Sequence, residues 1–256
     1  MLNYGYALLS DSGIYLEKFK DNINVLQYQM YDYLLNVIGG QKTLRGKTFI
    51  EVGCGRGGCF QYIVDEYEPA RAIGVDVSQE NVNFCKVKQV EAESFTQGKY
   101  KPQATDVNFV LGDSQALGDL FQDNSADVVM NVESSHCYGN LEAFFQGVCS
   151  VLKEDGIFVY ADFRSKGADM DRTVNLINRY FTVVKHEDIR RGVLQAMNLQ
   201  DDMKKEEIAK LPWYQRKIAS GFAGAKGSFM YEQFATQNRT YFGYALRKKQ
   251  EASKLD

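Results

Sequence analysis

One stretch limits what this chain can fold into more than any other: Phe49-Ile-Glu51-Val-Gly53-Cys-Gly55-Arg-Gly57-Gly58. The residues from Lys47 to Val52 form a short β-branched run that stops at Gly53, the pattern of a parallel strand buried on both faces. Helical patterning resumes at Cys59 and runs to Glu66. Strand, glycine turn and helix in that order open a βαβ unit. Glycines in such a turn permit positive φ and let a ligand lie directly against the backbone. In an open α/β sheet that ligand binds beyond the carboxyl ends of the strands.

The alternation continues. Arg71 to Val77 predicts a second strand, residues 79–96 a helix, and Asp106 to Leu111 a third strand. Asp127 to Val132 predicts a fourth, Leu141 to Leu152 an amphipathic helix, Glu154-Asp-Gly a turn, and Ile157 to Asp162 a fifth strand. Strands and helices alternating at this pitch give a parallel sheet with helices on both faces and right-handed crossovers. Upstream, Leu26, Met30, Tyr33, Leu34, Val37 and Ile38 recur at helical spacing from Asn24, and Gly39-Gly40 ends that helix. Downstream, residues 172–181 predict a helix, Phe181 to Lys185 a strand, 190–215 charged helix, and Tyr241 to Lys248 a last strand. The segment 186–235 is too long for a plain connection and reads as a helical lid inserted over the sheet. The expectation is one domain over residues 1–256: a cap and helix at 1–40, a ligand-binding core at 45–165, and the lid at about 186–235.

Composition removes several function classes. Thirty basic against thirty-three acidic residues leave a net charge of −3, with no basic stripe for nucleic acid. No apolar run approaches the roughly 18 residues of a spanning helix, so membrane insertion is not expected. The opening Met-Leu-Asn-Tyr-Gly-Tyr lacks the basic and apolar regions of a signal peptide, which predicts a cytoplasmic address. Five cysteines without a Cys-x-x-Cys pair argue against a disulfide framework and against structural zinc, and no metal site is expected. Cys54 and Cys59, which flank the glycine turn, are explained by packing alone.

Acidic residues then mark successive strand ends. Glu51 precedes the glycines, where a carboxylate repels a pyrophosphate and attracts a cationic amino-acid group. Asp76 ends the second strand about twenty residues on, the place where an acid holds ribose hydroxyls. Asp113 follows the third strand in Leu111-Gly-Asp113-Ser114, within reach of an adenine amine. Each acid taken singly is as readily a helix N-cap. No P-loop lysine follows the glycines, which disfavours a nucleoside triphosphate.

The series Glu51-Val-Gly-Cys-Gly-Arg-Gly, Gly74-Val-Asp76, Gly112-Asp113-Ser114, Phe121 to Asp127-Val-Val and Leu152-Lys-Glu-Asp-Gly156-Ile resembles the class I S-adenosylmethionine-dependent methyltransferases. A narrower resemblance, on Asn131-Val-Glu133-Ser-Ser-His136-Cys-Tyr138, Tyr160-Ala-Asp162-Phe-Arg164 and Asp188-Ile-Arg-Arg-Gly-Val-Leu, is to small-molecule O-methyltransferases of lipid and natural-product pathways. The phthiotriol/phenolphthiotriol dimycocerosate enzymes of mycobacteria are among these. The resemblance implies a Rossmann-like, doubly wound seven-stranded sheet whose final hairpin is antiparallel. It implies that Glu51, Gly53 and Gly55 hold the methionine end of S-adenosyl-L-methionine, Asp76 and Val77 the ribose, Asp113 and Ser114 the adenine, and that Asn131 lies beside the methionine. Asn3-Tyr4-Gly5-Tyr6 resembles a cap segment that folds over the cofactor through Tyr6, with Ala7 standing where the pattern has Trp.

Transfer to an alcohol or phenol needs a base near neutral pH, and only His136 and His186 are histidines. His136 follows the fourth strand and Asp162 ends the fifth, so His136 is expected as general base with Asp162 fixing its tautomer. Glu133, Tyr138 and Phe163 are expected to touch the acceptor, though Glu133 is as readily a turn cap. His186 is expected at the surface. Sixteen Tyr and sixteen Phe, with Trp213, Tyr214, Phe222, Phe229, Tyr231 and Phe234 in or near the lid, suit an apolar small-molecule acceptor, as they also suit packing of the lid. Alternatives are N- or C-methylation of a phosphobase or sterol-like acceptor, and a dinucleotide-dependent oxidoreductase. The glycines at 53, 55, 57 and 58 miss the oxidoreductase register. A homo-oligomer is compatible with all of these.

Overall fold

A computed structural model of the chain describes residues 3–58, 60–95, 105–222 and 224–249. Cys59 lies outside the described residues. Seven strands form one sheet in the order β3-β2-β1-β4-β5-β7-β6. They are β1 (Thr48–Val52), β2 (Arg71–Asp76), β3 (Asp106–Leu111), β4 (Ala126–Val132), β5 (Leu152–Ser165), β6 (Phe181–Asp188) and β7 (Arg239–Lys248). The first five run parallel, and β7 lies antiparallel between β5 and β6. The expected antiparallel ending is present.

The β-branched run of β1 lies inside the sheet, third of the seven strands, and is buried from Phe49 onward. Its neighbours are β2 on one side and β4 on the other. The winding reverses between them, which opens the crevice where α/β sheets bind ligands. Edge strand β6 is buried only at Phe181 and is otherwise exposed or half-buried. The register Val132↔Ala161 sets the loop after β4 beside the end of β5.

Helices α1 (Val25–Asp32), α2 (Phe60–Tyr67), α3 (Gln79–Phe95), α4 (Leu117–Leu120), α5 (Leu141–Val151) and α6 (Ala168–Tyr180) cover the two faces. The single helix expected over Asn24–Ile38 changes pitch: from Tyr33 to Ile38 it is a π-turn, packed against β5, β6 and β7. Gly40 closes it at φ +65°. The turn expected at Glu154–Gly156 lies within β5. The pairing jumps from Ala126↔Leu152 to Val128↔Ile157, so the extra residues bulge out and the strand continues.

The segment between β6 and β7 is four helices: α7 (Arg190–Leu199), α8 (Asp201–Lys210), α9 (Trp213–Phe222) and α10 (Phe229–Ala235). The helix expected over 190–215 is interrupted at Gln200 and again at Leu211-Pro212, where proline supplies no N–H to a helix interior. The N-terminal strap is tied to this layer: Tyr6 N–H donates to Leu26 O at 2.9 Å and Ala7 N–H to Gly192 O at 3.1 Å. Buried Gln29 accepts the Tyr15 N–H and donates to Tyr6 O and Gly13 O, which satisfies the strap's backbone where it passes beneath the lid.

One core, between sheet and α5–α6, is aromatic: Phe144, Phe145, Phe158, Tyr160 and Phe181 are buried in edge-to-face and stacked contacts. The other lies under α1, α2, α7 and α10 and includes Met30, Leu34, Phe49, Phe60, Met197 and Phe234. No helix among the described residues is long and apolar enough to cross a membrane.

Candidate functional site

The glycine turn after β1 needs its glycines. Gly53, Gly55 and Gly57 have φ of +75°, +55° and +62°. A Cβ on Gly53 would stand 2.0 Å from Ser134 Oγ, so the turn can pass beneath the β4 loop only as glycine. Gly53 N–H and Cys54 N–H both donate to Val75 O, at 2.8 and 3.0 Å. Asp76 ties the turn from the β2 side: one oxygen accepts Gly55 N–H at 2.8 Å, the other Ser78 N–H and Asn81 Nδ2 at 2.9 and 3.1 Å. It thus braces the glycine turn against the start of the next helix, whose N-cap is Ser78, with Oγ accepting Asn81 N–H at 3.3 Å. Buried Cys54 and Cys85 both direct their thiols at Gly55 O.

Glu51 is buried beneath the turn and accepts the Tyr31 hydroxyl. Burial raises its carboxyl to about 8, with the Tyr31 bond opposing and the Asp76 charge adding to the rise. No Lys or Arg pairs with it among the described residues. Asn131, on β4 next to β1, donates from Nδ2 to Val52 O at 2.7 Å and to Tyr138 Oη at 3.0 Å. Its Oδ1 is shielded from water and has no donor. The Tyr138 phenol also meets Ser134 Oγ at 2.8 Å and Ser114, and burial pushes it up to about 12. Tyr138 therefore joins Ser114 and Asn131, two of the expected cofactor contacts, as well as bordering the cavity described below. Asp113 is exposed and caps its own short turn through Gln115 N–H at 2.9 Å, which holds its carboxyl below the usual range. Val77 is exposed.

The second cluster lies at the ends of β4 and β5. Asp162 is fully buried, and His136 Nδ1 stands 2.8 Å from its Oδ1. Asp162 also accepts His136 N–H at 2.9 Å, Ser135 Oγ–H at 2.6 Å and Phe163 N–H at 2.8 Å, and it pairs with buried Arg164 at 3.1 Å. Burial works to raise this carboxyl, but the His136 bond and the Arg164 charge together hold it below the carboxylate range. The His136 ring stacks on Phe163 with centroids 4.2 Å apart. Both line a cavity of about 210 Å³ with Ser135, Tyr138 and Arg164.

Glu133, directly after β4, has φ +47°, a left-handed conformation that costs a non-glycine residue about 1 kcal/mol or more. Its Oε1 accepts Tyr4 N–H at 2.8 Å and Tyr241 Oη–H at 2.6 Å. Burial raises this carboxyl also to about 8. The lid reaches here: Lys204 of α8 holds its ammonium 5.8 Å from the Tyr4 ring centroid, shielded and without a hydrogen-bond acceptor.

Tyr31, Lys204 and Arg239 come from segments remote from the glycine turn, and no local motif in the sequence marks them. Tyr4 and Ser135 fall inside the Asn3–Tyr6 and Asn131–Tyr138 motifs and Tyr241 opens the expected last strand, but none of the three is expected from the sequence to hold a site carboxylate. Tyr6 stacks on Tyr33 at 4.1 Å and packs against Gly192, so it ties the strap to the lid, while Tyr4 reaches Glu133. Of the aromatics expected around an acceptor, Phe163 lines the cavity, Phe234 is buried against Phe163, and Tyr231 bonds Asn198. Trp213 and Tyr214 face outward, and the Phe222 side chain lies outside those described. His186 is exposed on β6 and stacks on Tyr244.

Residues 44–216 match the family profile described as "Methyltransferase domain". The fatty-acid O-methyltransferase of Mycolicibacterium smegmatis is 34% identical over 165 residues, 64% of this chain and 53% of that protein. The alignment thus spans about half the length of that relative. The probable phthiotriol/phenolphthiotriol dimycocerosates methyltransferase 2 of Mycobacterium ulcerans is 31% identical over 73% of this chain and 67% of its own length. Among solved structures, that of the [4+2]-cyclase SpnF superposes with a TM-score of 0.70 at 17% identity, covering 98% of this chain and 89% of the other.

Proposed function

This chain belongs to the methyltransferase-domain family, and we propose that it moves the methyl group of S-adenosyl-L-methionine onto a hydroxyl oxygen of a small, apolar or natural-product-like acceptor, with His136 as general base and Asp162 orienting it. The observation that carries the base assignment is the 2.8 Å contact between His136 Nδ1 and the buried Asp162 carboxylate at the edge of a cavity. Support for the acceptor class comes from the two mycobacterial relatives, named for fatty-acid and phthiotriol substrates.

The cofactor fits the residues present. Glu51 is a buried carboxyl with no Lys or Arg paired to it among the described residues, and the cofactor's amino-acid end carries an ammonium. The unpaired Asn131 Oδ1 is an acceptor in want of a donor. Glu51 suits a dinucleotide poorly, since a pyrophosphate brings negative charge toward it. Asp76, Asp113 and Ser114 would hold the nucleoside, as the family resemblance implies.

The cofactor supplies a carbon already activated by positive sulfur. The chain's part is alignment, exclusion of water and removal of one proton. Asp162 keeps the proton of the neutral imidazole on Nδ1, which leaves Nε2 free to accept the hydroxyl proton. As the oxygen–carbon bond forms and the carbon–sulfur bond breaks, that proton passes to Nε2, and the buried carboxylate stabilises the resulting imidazolium. Arg164 keeps Asp162 ionised and so in its role as acceptor from Nδ1.

The test is mass spectrometry of hydroxylated lipid and polyketide acceptors incubated with the protein and trideuteromethyl-labelled cofactor. The expected product is heavier by one labelled methyl on a hydroxyl oxygen. A methyl ester, N-methyl or C-methyl product overturns the hydroxyl reading, and no labelled product with any acceptor overturns the transfer itself.

A further inference from the structure

The cavity beside His136 carries an excess of positive charge. Arg164, Arg172 and Arg239 line it against a single carboxylate, Asp169. Arg164 is already engaged with Asp162, Ser135 and Tyr160. Arg172 and Arg239 form no ion pair with a carboxylate among the described residues. Arg239, the first residue of β7, rests its guanidinium 5.4 Å from the Phe163 ring centroid and 5.9 Å from that of Phe229. Its Nη1 meets only the Met230 sulfur at 3.5 Å, and its Nε is shielded from water with no acceptor.

Two aromatic faces stabilise a guanidinium by cation–π attraction but accept none of its five N–H groups. A shielded donor left unbonded costs about 1–3 kcal/mol. The fork of a guanidinium matches the paired oxygens of a carboxylate or phosphate. The arrangement is therefore incomplete without an anion. The Phe163 ring that carries Arg239 also carries the stacked His136 imidazole, so an anion on Arg239 would share one small cavity with the candidate base. Lys204 is a poorer seat, because the charges of Glu133 and Asp201 already act on it.

We propose that Arg239, with Arg172 lining the same cavity, seats an anionic group of the acceptor, a carboxylate or a phosphate monoester, and so positions the neighbouring hydroxyl at His136. The hydroxyl half of this statement rests on the O-methylation reading; the anion seat does not.

The test is calorimetric titration of the whole chain with octanoate, octyl phosphate and octan-1-ol, which share an alkyl chain and differ in headgroup. The seat predicts that at least one anion binds ten-fold or more tighter than the alcohol. A response to octanoate alone or to octyl phosphate alone supports the seat and identifies the headgroup. Arg239→Gln should weaken anion binding at least ten-fold, Arg239→Lys should restore part of it, and alcohol binding should not change. The proposal is overturned if the alcohol binds as tightly as both anions, or if Arg239→Gln binds them like wild type. Should Arg239→Gln fail to fold, the wild-type comparison of anion with alcohol still decides. No methyl is transferred in this titration, so its failure leaves the His136 reading standing, and a failure of that reading leaves the seat standing.

Discussion

Asp162 holds His136 from two directions: one carboxylate oxygen stands 2.8 Å from ring Nδ1, and the other accepts the backbone N–H of the same residue at 2.9 Å. Position and ring orientation are thus set by one buried group, itself neutralised by Arg164 at 3.1 Å. That charge balance has a consequence for substitution. Asp162→Asn keeps the shape but takes the nearer counter-charge from the buried Arg164 guanidinium, leaving only the half-exposed Asp169 carboxylate at 3.9 Å. Breaking a buried pair in this way costs about 3–5 kcal/mol. Thermal unfolding should show a large drop in Tm, together with a turnover loss under conditions where the variant is folded. An unchanged Tm would mean that the Arg164–Asp162 pair contributes little.

Glu51 gives a prediction about pH with a definite sign. Its folded carboxyl is raised to about 8 by burial, against about 4.3 in an unfolded chain. The folded state therefore keeps a proton that the unfolded state has lost. Its contribution to stability is complete below about pH 4.3 and is lost as pH rises toward 8, at up to about 1.4 kcal/mol per unit. Tm of the cofactor-free protein should fall between pH 6 and 8, and Glu51→Gln should flatten that slope. A slope unchanged in Glu51→Gln would contradict the assignment.

The same carboxyl must ionise when a cationic amino-acid group binds beside it. Cofactor binding at pH 7 should then release protons, up to one per molecule bound. Calorimetry in two buffers of different ionisation enthalpy measures this directly. Identical heats in both buffers would place the ammonium elsewhere.

Gly53→Ala tests the turn. The residue has φ +75°, and the new Cβ would lie 2.0 Å from Ser134 Oγ. Strain of about 1–2 kcal/mol from the backbone alone, with displacement of the Ser134 loop added, predicts lower stability and weaker cofactor binding. Wild-type affinity in this variant would show that the turn's close approach does not matter.

Tyr241→Phe removes one of two donors to the Glu133 carboxylate. Leaving a buried acceptor short of a donor costs about 1–3 kcal/mol. The loss should grow as pH rises toward 8, because Glu133 is also raised and its charged form needs the bond most. A pH-independent loss would assign the effect to packing alone.

Much of the sheet is legible in the sequence because β1, β2 and β4 are buried nearly throughout and the apolar runs of the parallel strands stop abruptly. Asp106–Leu111 has the expected bounds, and β2 and β4 differ from expectation by one residue at an end. The pairing of His136 with Asp162 follows from topology, since β4 and β5 are neighbours and their register sets the two ends side by side. What could not be read depends on distant contacts. The bulge that carries Glu154–Gly156 within β5 is fixed by pairing with β4, whereas the local residues alone spell a turn. The π-turn at Tyr33–Ile38 depends on packing against the far edge of the sheet. Tyr31, Tyr241 and Arg239 reach the site from α1 and β7, and nothing in their own neighbourhoods marks them. The aromatic residues in and near the lid read as an acceptor pocket or as packing of the lid, and Trp213 and Tyr214 do neither: both are exposed.

The role of His136 as general base is tested most directly by the single-turnover rate of methyl transfer to a confirmed hydroxyl acceptor, wild type against His136→Ala, with cofactor affinity measured in parallel. Loss of a general base predicts a rate lower by about 100-fold or more with cofactor affinity unchanged. A His136→Ala rate within a few-fold of wild type, at full cofactor occupancy, would contradict it.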